Sequence, residues 1–399
     1  MDKKWIMALS AVGIHISIGS VYAWSVFTKP IMDYMGCTLK EVQFTFSLAI
    51  LFLGFSASFL GKYVEKYGAK KSGLAATCFF GCGMLGTGLA IYLKSLWLLY
   101  FFYGMVGGIG LGTGYITPVS TLVKWFPKNR GLATGLAIMG FGFAALIAGP
   151  IIQQLIALLP LYLVPVVMGC GYIAVMGLSS LQFALPYDKN DEQAVKNFAY
   201  GFTAKEALST GRFKLMWLIL FINIFCGIAI ISIASPLAQE STSMSAVEAA
   251  TMVGIMGLFN GGGRIAWASL SDYIGRPVTY VVFFIIQMMG FYVLSGISDK
   301  LFFSALIFLI MTCYGGGFSC IPAYLSDFFG TKQLSVIHGH ILTAWGLAGL
   351  FAPMFTAWVK EQTNSYNQAS LAFVGLYVIA FIIAVYLYVN KEKYTLKRQ

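Results

Sequence analysis

The chain is assembled from apolar runs of roughly 20 residues parted by short polar punctuation, a pattern that few architectures accommodate. A run of that length crosses a hydrocarbon core about 30 Å thick as a helix, which satisfies its own backbone hydrogen bonds where no water can. Of the 399 residues, 58% are hydrophobic and only 10% are charged, and the mean hydropathy is +0.79. That balance specifies an all-α polytopic membrane protein. The opening stretch, residues 1–19, has the basic start and apolar body of a secretory signal, but no small-x-small cleavage site leads into a polar mature domain. It is read as a retained first span.

The apolar periods place twelve helices, at about 5–28, 41–61, 73–93, 96–123, 131–158, 161–185, 215–238, 247–270, 278–297, 301–326, 336–358 and 367–390. With both termini in the cytoplasm, that side collects 20 Lys and Arg: two at the N-terminus, four over 62–71, three over 124–130, five over 189–214, Arg276, Lys332 and four at the C-terminus. Five fall outside, Lys29, Lys40, Lys94, Lys300 and Lys360, and Arg264 inside the membrane completes the 26. This asymmetry predicts cytoplasmic termini in a multi-pass protein of the cell membrane. It also accounts for the net charge of +11 without nucleic acid, because the basic residues lie in short loops.

The longest polar segment, 186–214, divides the chain into a six-helix unit at 1–185 and another at 215–399. The units repeat one another. Pro118 and Pro322 are 204 residues apart, Gly140 and Gly346 are 206 apart, and the pairs Glu65/Asp272 and Gly68/Gly275 are 207 apart. Two parallel six-helix repeats joined by a central loop are the layout of rocking secondary transporters, which hold substrate near the midplane between halves. Prolines 118, 150, 322 and 353 are expected to bend helices that gate such a path.

No chemistry other than transport is indicated. Seven cysteines lie mostly in apolar runs, and the closest pair, Cys78 and Cys82, lacks CxxC spacing, so neither a disulfide framework nor a metal site follows. The glycines of GGIGLGTG (107–114) lie within a span with no GK[ST] after them, which suits close helix packing rather than a nucleotide. The spans carry no nucleophile, metal cluster or paired acids, so the chain is read as a non-enzyme without a cofactor.

Arg264, in FNGGGR (259–264), is the exception within the spans. A guanidinium at the bilayer centre costs about 2.5–3.5 kcal/mol on insertion scales, so it normally faces a cavity or a partner. The helix cores contain no Asp or Glu to pair with it: Glu41 and Glu248 lie near outer ends and Asp327 near an inner one. An unpaired planar cation suits a carboxylate, and Asn260, one turn away, could orient it. The alternative is a side chain that snorkels to the interface. Proton coupling calls for a group that titrates near neutrality; His338 shares a helical face with Leu342 and Trp345 and is preferred over His340 and His15. The substrate could instead bring the proton itself.

These features carry a resemblance. GKYVEKYGAKK (61–71) and SDYIGRP (271–277) resemble the paired loop motifs of the major facilitator superfamily, with departures at Glu65, Ala69 and Ala268. An acid beside basic residues at helix ends there suggests a conformational latch formed by Glu65, Gly68, Asp272, Gly275 and Arg276. GSVYAWSVFTKPI (19–31), GIGLGTGYITPVSTLVKWFPKNRGLATG (108–135), FNGGGR and YGGGFSCIPAYLSDFFG (314–330) are similar to the oxalate/formate antiporter family, related to monocarboxylate transporters. The resemblance implies carriage of small carboxylates, with Arg264 as the binding cation and Tyr22, Tyr115, Tyr314 and Phe318 lining the site. Animal relatives have an aspartate where this chain has Asn260, and oxalate carriers have a lysine where it has Trp345. One cation implies one carboxylate.

The chain is therefore expected to be a bacterial lactate/pyruvate-type member. It would carry a small monocarboxylate (lactate, pyruvate or formate), with protons or a counter-anion, across the lipid bilayer and without an obligate protein partner. An oxalate/formate exchanger is the alternative. A transporter-like sensor is the third reading, disfavoured by short termini and a central loop of under 30 residues.

Overall fold

The computed structural model describes residues 2–186 and 200–394. Ten helices have the length and composition to cross a membrane. One of these, Lys40–Tyr92, has 53 residues, about 80 Å at helical rise and twice what one crossing needs. Its backbone breaks at Gly68, where φ is 82° and ψ 168°, a region open essentially to glycine. The break separates α2 (39–67) from α3 (69–92), after α1 (Lys3–Gly19). The further spans are α4 (Leu96–Trp125), α5 (Arg130–Leu158), α6 (Leu163–Gln182), α7 (Gly211–Thr242), α8 (Ala246–Ile274), α9 (Arg276–Leu294), α10 (Lys300–Phe329), α11 (Leu334–Thr363) and α12 (Asn367–Val389). Only α8, which carries Arg264, lies outside the ten. The result is an all-α membrane protein of twelve spanning helices in two six-helix bundles.

The boundaries differ from the sequence expectation where the backbone has its own reasons. The polar stretch 61–71, read as a loop, is helical up to Tyr67, and its turn is confined to Gly68. Gly275 repeats this at φ 86° between α8 and α9, so α8 runs to Ile274 rather than 270. The first span is not one helix: α1 gives way to a 3-10 turn at Ser20–Ala23 and a second helix, Ser25–Met35, where Gly19 packs against the Phe141 backbone. Helix α11 is interrupted at Leu342. Residues 187–199 of the expected central loop lie outside the described residues, as do the basic residues Lys189, Lys196, Lys397 and Arg398 counted above. The described part of the loop contains a short helix, Ala204–Ser209.

The first and last described residues are at one end of the bundle, here the terminal end. Trp5 packs on Phe126, and Lys391 shares a cavity of about 350 Å³ with Lys128 and Arg276. At the opposite end acids begin helices: Thr38/Glu41 and Ser245/Glu248 form reciprocal caps on α2 and α8, and Asp299 caps α10. Those acids occupy helix N-termini, where backbone N–H groups and the helix dipole favour a carboxylate.

The halves meet along two helix pairs, α2 with α11 and α5 with α8. Small residues make the approach close. A Cβ added to Gly142 of α5 would stand 2.6 Å from Gly261 Cα of α8, so the two backbones touch there. Gly339 of α11 crosses Ala57 of α2 with similar intimacy. These crossings bring α1, α4, α5, α8, α10 and α11 around one central volume.

Candidate functional site

Arg264 is fully buried in that volume. Its Nε donates to Asn260 Oδ1 at 3.2 Å, one turn back on the same helix. Its two terminal nitrogens make no hydrogen bond among the described residues. Phe141 of α5 and Phe318 of α10 flank the guanidinium, with ring centroids 5.8 and 5.2 Å from Cζ, an arrangement that stabilises a desolvated cation by its rings. The helix is anchored from behind, since the Ser319 hydroxyl donates to the Arg264 carbonyl at 2.7 Å. The side chain therefore points into the bundle and does not snorkel to an interface.

The other residues singled out in the sequence assemble around this cation. Trp345 packs on Phe318 (4.7 Å between centroids), Phe141 (5.4 Å) and Tyr115 (5.3 Å). Tyr314 meets Phe318 at 5.3 Å and Tyr22 meets Phe141 at 4.9 Å, both edge-on. Four donors, the hydroxyls of Tyr22, Tyr115 and Tyr314 and the Trp345 indole N–H, are buried without hydrogen-bond partners among the described residues. Those on Tyr22 and Tyr314 lie toward Arg264 and each other, outside hydrogen-bond geometry. The site thus offers one fixed cation, several neutral donors and aromatic walls, a combination suited to a small anion with apolar surface. Asn223 and Gln287 back it up: Asn223 donates to the Tyr314 carbonyl at 3.3 Å and accepts from Gln287 at 3.0 Å.

Phe141 was not anticipated, although it touches Tyr22, Tyr115, Trp345 and Arg264. A phenylalanine in an apolar helix carries no chemical signal. The available hint was its place beside Gly140, which the repeat pairs with Gly346, the neighbour of Trp345.

The histidines differ. His340 is half-buried, and its Nδ1 lies 2.8 Å from the Val336 carbonyl. His338 is fully buried against Tyr115, at 5.9 Å, with neither ring nitrogen partnered. The interruption of α11 at Leu342 leaves both His338 and Trp345 against Tyr115.

At the terminal end the halves are tied by polar bonds. Asp272, at the foot of the Arg264 helix, accepts from the backbone N–H groups of Gly131 and Leu132 at 2.9 Å each, across the interface at the start of α5. It also pairs with Arg276. Glu65 makes the matching contact in the other half, accepting from Ser335 N at the start of α11 at 3.0 Å while pairing with Lys124 at 3.3 Å. Carboxylates at helix N-termini bind exposed N–H groups and the positive dipole end together. Arg130 adds a bond to Ser326 at 3.0 Å and an ion pair with Asp327 at 3.3 Å. Gly68 and Gly275 supply the chain reversals that hold Glu65 and Asp272 at these edges. At the opposite end, the pairs Lys300–Glu248, Lys360–Glu240 and Lys29–Asp33 each stay within one half.

The chain is similar to proteins of matching architecture. It is 26% identical over 390 residues to the oxalate:formate antiporter of Oxalobacter formigenes, covering 97% of this chain and 92% of that one. It is 26% identical over 351 residues to the uncharacterized MFS-type transporter YhjX of Escherichia coli (strain K12), covering 87% and 86%. Monocarboxylate transporter 1 of Rattus norvegicus is 35% identical over 145 residues, 35% of this chain and 28% of that one. Among solved structures, the E. coli fucose:proton symporter FucP superposes with a TM-score of 0.73 at 13% identity, over 96% of this chain and 99% of that one. The model of the Major Facilitator Superfamily matches residues 9–353, and the chain belongs to that family of membrane transporters, which are not enzymes.

Proposed function

We propose that the protein carries a small monocarboxylate, lactate, pyruvate or formate, across the cell membrane by alternating access, with Arg264 as the carboxylate-binding group. The observation that carries this reading is a fully buried guanidinium whose two outer nitrogens are unpartnered while Asn260 holds its inner one. A carboxylate would accept from both outer nitrogens in the plane of the fork. Phe141 and Phe318 restrict approach to that plane, and Tyr22, Tyr115, Tyr314 and Trp345 line the rest. Trp345, where a second cation would serve a second carboxylate, favours singly charged acids. A proton or a counter-anion balances the charge, with His338 as the proton carrier of first choice.

In this reading the units 1–185 and 215–399 rock about the central volume, both termini face the cytoplasm, and Glu65, Asp272 and Arg276 hold the cytoplasmic gate shut. Exchange of oxalate for formate is the second reading, favoured by similarity to the oxalate:formate antiporter over nearly the whole chain. Uptake of labelled lactate, pyruvate, formate and oxalate into proteoliposomes, with and without an imposed pH gradient, decides between them. Preferred oxalate uptake overturns the single-cation argument, and wild-type uptake by Arg264→Gln overturns the assigned role of Arg264.

A further inference from the structure

Two histidines pack against the Tyr115 ring. His15 of α1 meets it edge-on with centroids 5.2 Å apart, and His338 of α11 approaches at 5.9 Å. Both imidazoles are fully buried. Of their four ring nitrogens only His15 Nδ1 has a partner among the described residues, the Ala11 carbonyl at 3.0 Å. Buried polar atoms left unpaired destabilise a fold, and an apolar side chain of similar size would remove the penalty. Three such atoms gathered around one tyrosine point to a use other than packing.

The surroundings narrow that use. The Tyr115 ring that both imidazoles meet packs edge-on against Phe141 at 5.7 Å, and Phe141 flanks the Arg264 guanidinium at 5.8 Å. Tyr115 of α4 contacts both imidazoles, and Tyr22 and Tyr314 share the Arg264 volume. From α5 the backing of His15 is Gly140, and from α2 the residues beside His338 are Ala57 and Ser58, which cross Gly339. A carboxylate on an adjoining element, Glu65, is paired with Lys124 and bonded to Ser335 one turn before His338. The pair thus sits in a low-dielectric enclosure in which one ring, Phe141, separates the shared Tyr115 from the Arg264 cation. His15 belongs to one half and His338 to the other.

We propose that His15 and His338 form, where they meet at the Tyr115 ring, a site for one proton that fills once a carboxylate has neutralised Arg264. The proposal rests on the carboxylate reading of Arg264. While Arg264 is unpaired, a second cation beside it is opposed by like charge. A bound anion removes that opposition, so anion and proton favour each other, and each raises the other's affinity by the same factor. One negative and one positive charge enter together from the opposite end. Opening of the terminal end draws α11 away from α1 and α4, separates the imidazoles and releases the proton there; only an N–H bond forms and breaks.

Calorimetric titration of the purified full-length protein with pyruvate, from pH 8 to pH 6 and in buffers of different ionisation enthalpy, tests this. Pyruvate stays ionised throughout that range. The wild type is expected to bind more tightly as pH falls, by up to about tenfold per pH unit, the limit for one linked proton, with close to one proton taken up per pyruvate. In the double variant His15→Gln/His338→Gln, affinity stays within about twofold of its pH 8 value and proton uptake disappears. A double variant that keeps the wild-type slope and proton uptake overturns the proposal, and so does a wild type that binds pyruvate with no linked proton. The single variant His338→Gln, with its melting temperature measured alongside, carries the same test if the double variant does not fold. Absence of any carboxylate response in the wild type, or an unaltered response in Arg264→Gln, overturns the carboxylate reading and this proposal with it.

Discussion

Replacing Asp272 with asparagine should unlatch the terminal end. The wild-type carboxylate accepts two backbone N–H bonds of 2.9 Å from the start of α5 and pairs with Arg276, in a setting where its side chain is only 8% exposed. Hydrogen bonds to a charged group contribute about 1.5–3 kcal/mol each. Asparagine keeps one acceptor oxygen, loses the charge that favours the helix N-terminus and turns an amide toward Arg276. The net loss to the closed form is about 2–3 kcal/mol, which shifts a two-state equilibrium about 30- to 150-fold. A terminal-open population of about 1% would rise to between about a quarter and three fifths. Nitroxide labels on cysteines at Lys62 and Lys332, both exposed and placed one in each half beside the contact of Gly61 with Ser335 and Val336, report this as a second, longer distance in pulsed dipolar spectroscopy on a background free of native cysteines. The labels are remote from Asp272, so a local disturbance would not mimic the effect. A distribution unchanged from wild type refutes the latch.

Three further outcomes follow from the central site. Arg264→Lys keeps a charge but loses the fork that Asn260 aligns, so carboxylate affinity should fall about 10- to 100-fold while the protein stays folded; unchanged affinity in titration would show that point charge alone suffices. Asn260→Asp puts an acid where an amide oxygen now sits 3.2 Å from Arg264 Nε, and an internal ion pair should weaken anion binding at pH 7 by about tenfold or more. An equal or tighter dissociation constant would contradict a free cation. Trp345→Lys should raise the affinity for oxalate relative to pyruvate in competition binding, at the expense of a lower melting temperature because a fully buried ring is lost; an unaltered oxalate-to-pyruvate ratio would remove Trp345 from the selectivity argument.

The sequence discloses those parts of this molecule on which the bilayer or the backbone acts directly. Span number follows because each crossing requires a long apolar helix, and the repeat follows because Gly68 and Gly275 occupy the same forbidding backbone region in each half. Arg264 is legible because a cation in a span needs a reason. What stays hidden depends on partners that have no sequence signature. The donors that Asp272 engages are backbone N–H groups of Gly131 and Leu132, which any residues would supply. Phe141 is one phenylalanine among 33, and only its position beneath the guanidinium distinguishes it. Helix ends were least accurate where polar residues continue a helix beyond the membrane, as in 61–67, because polarity marks exposure to water rather than the end of helical hydrogen bonding.

The uneven distribution of polar ties between the halves bears on how such a carrier behaves from its two faces. Among the described residues, bonds from Asp272, Glu65 and Arg130 join the halves at one end, and the ion pairs at the other end each stay within one half. The resting position is therefore biased toward one side. Solute arriving at the opposite face finds the carrier waiting, whereas solute at the terminal face can use only the small fraction that has swung round. For one and the same binding site, half-saturation measured from the terminal face should exceed that from the other by the inverse of that fraction, and the protein would work as a sided valve without any difference in intrinsic affinity.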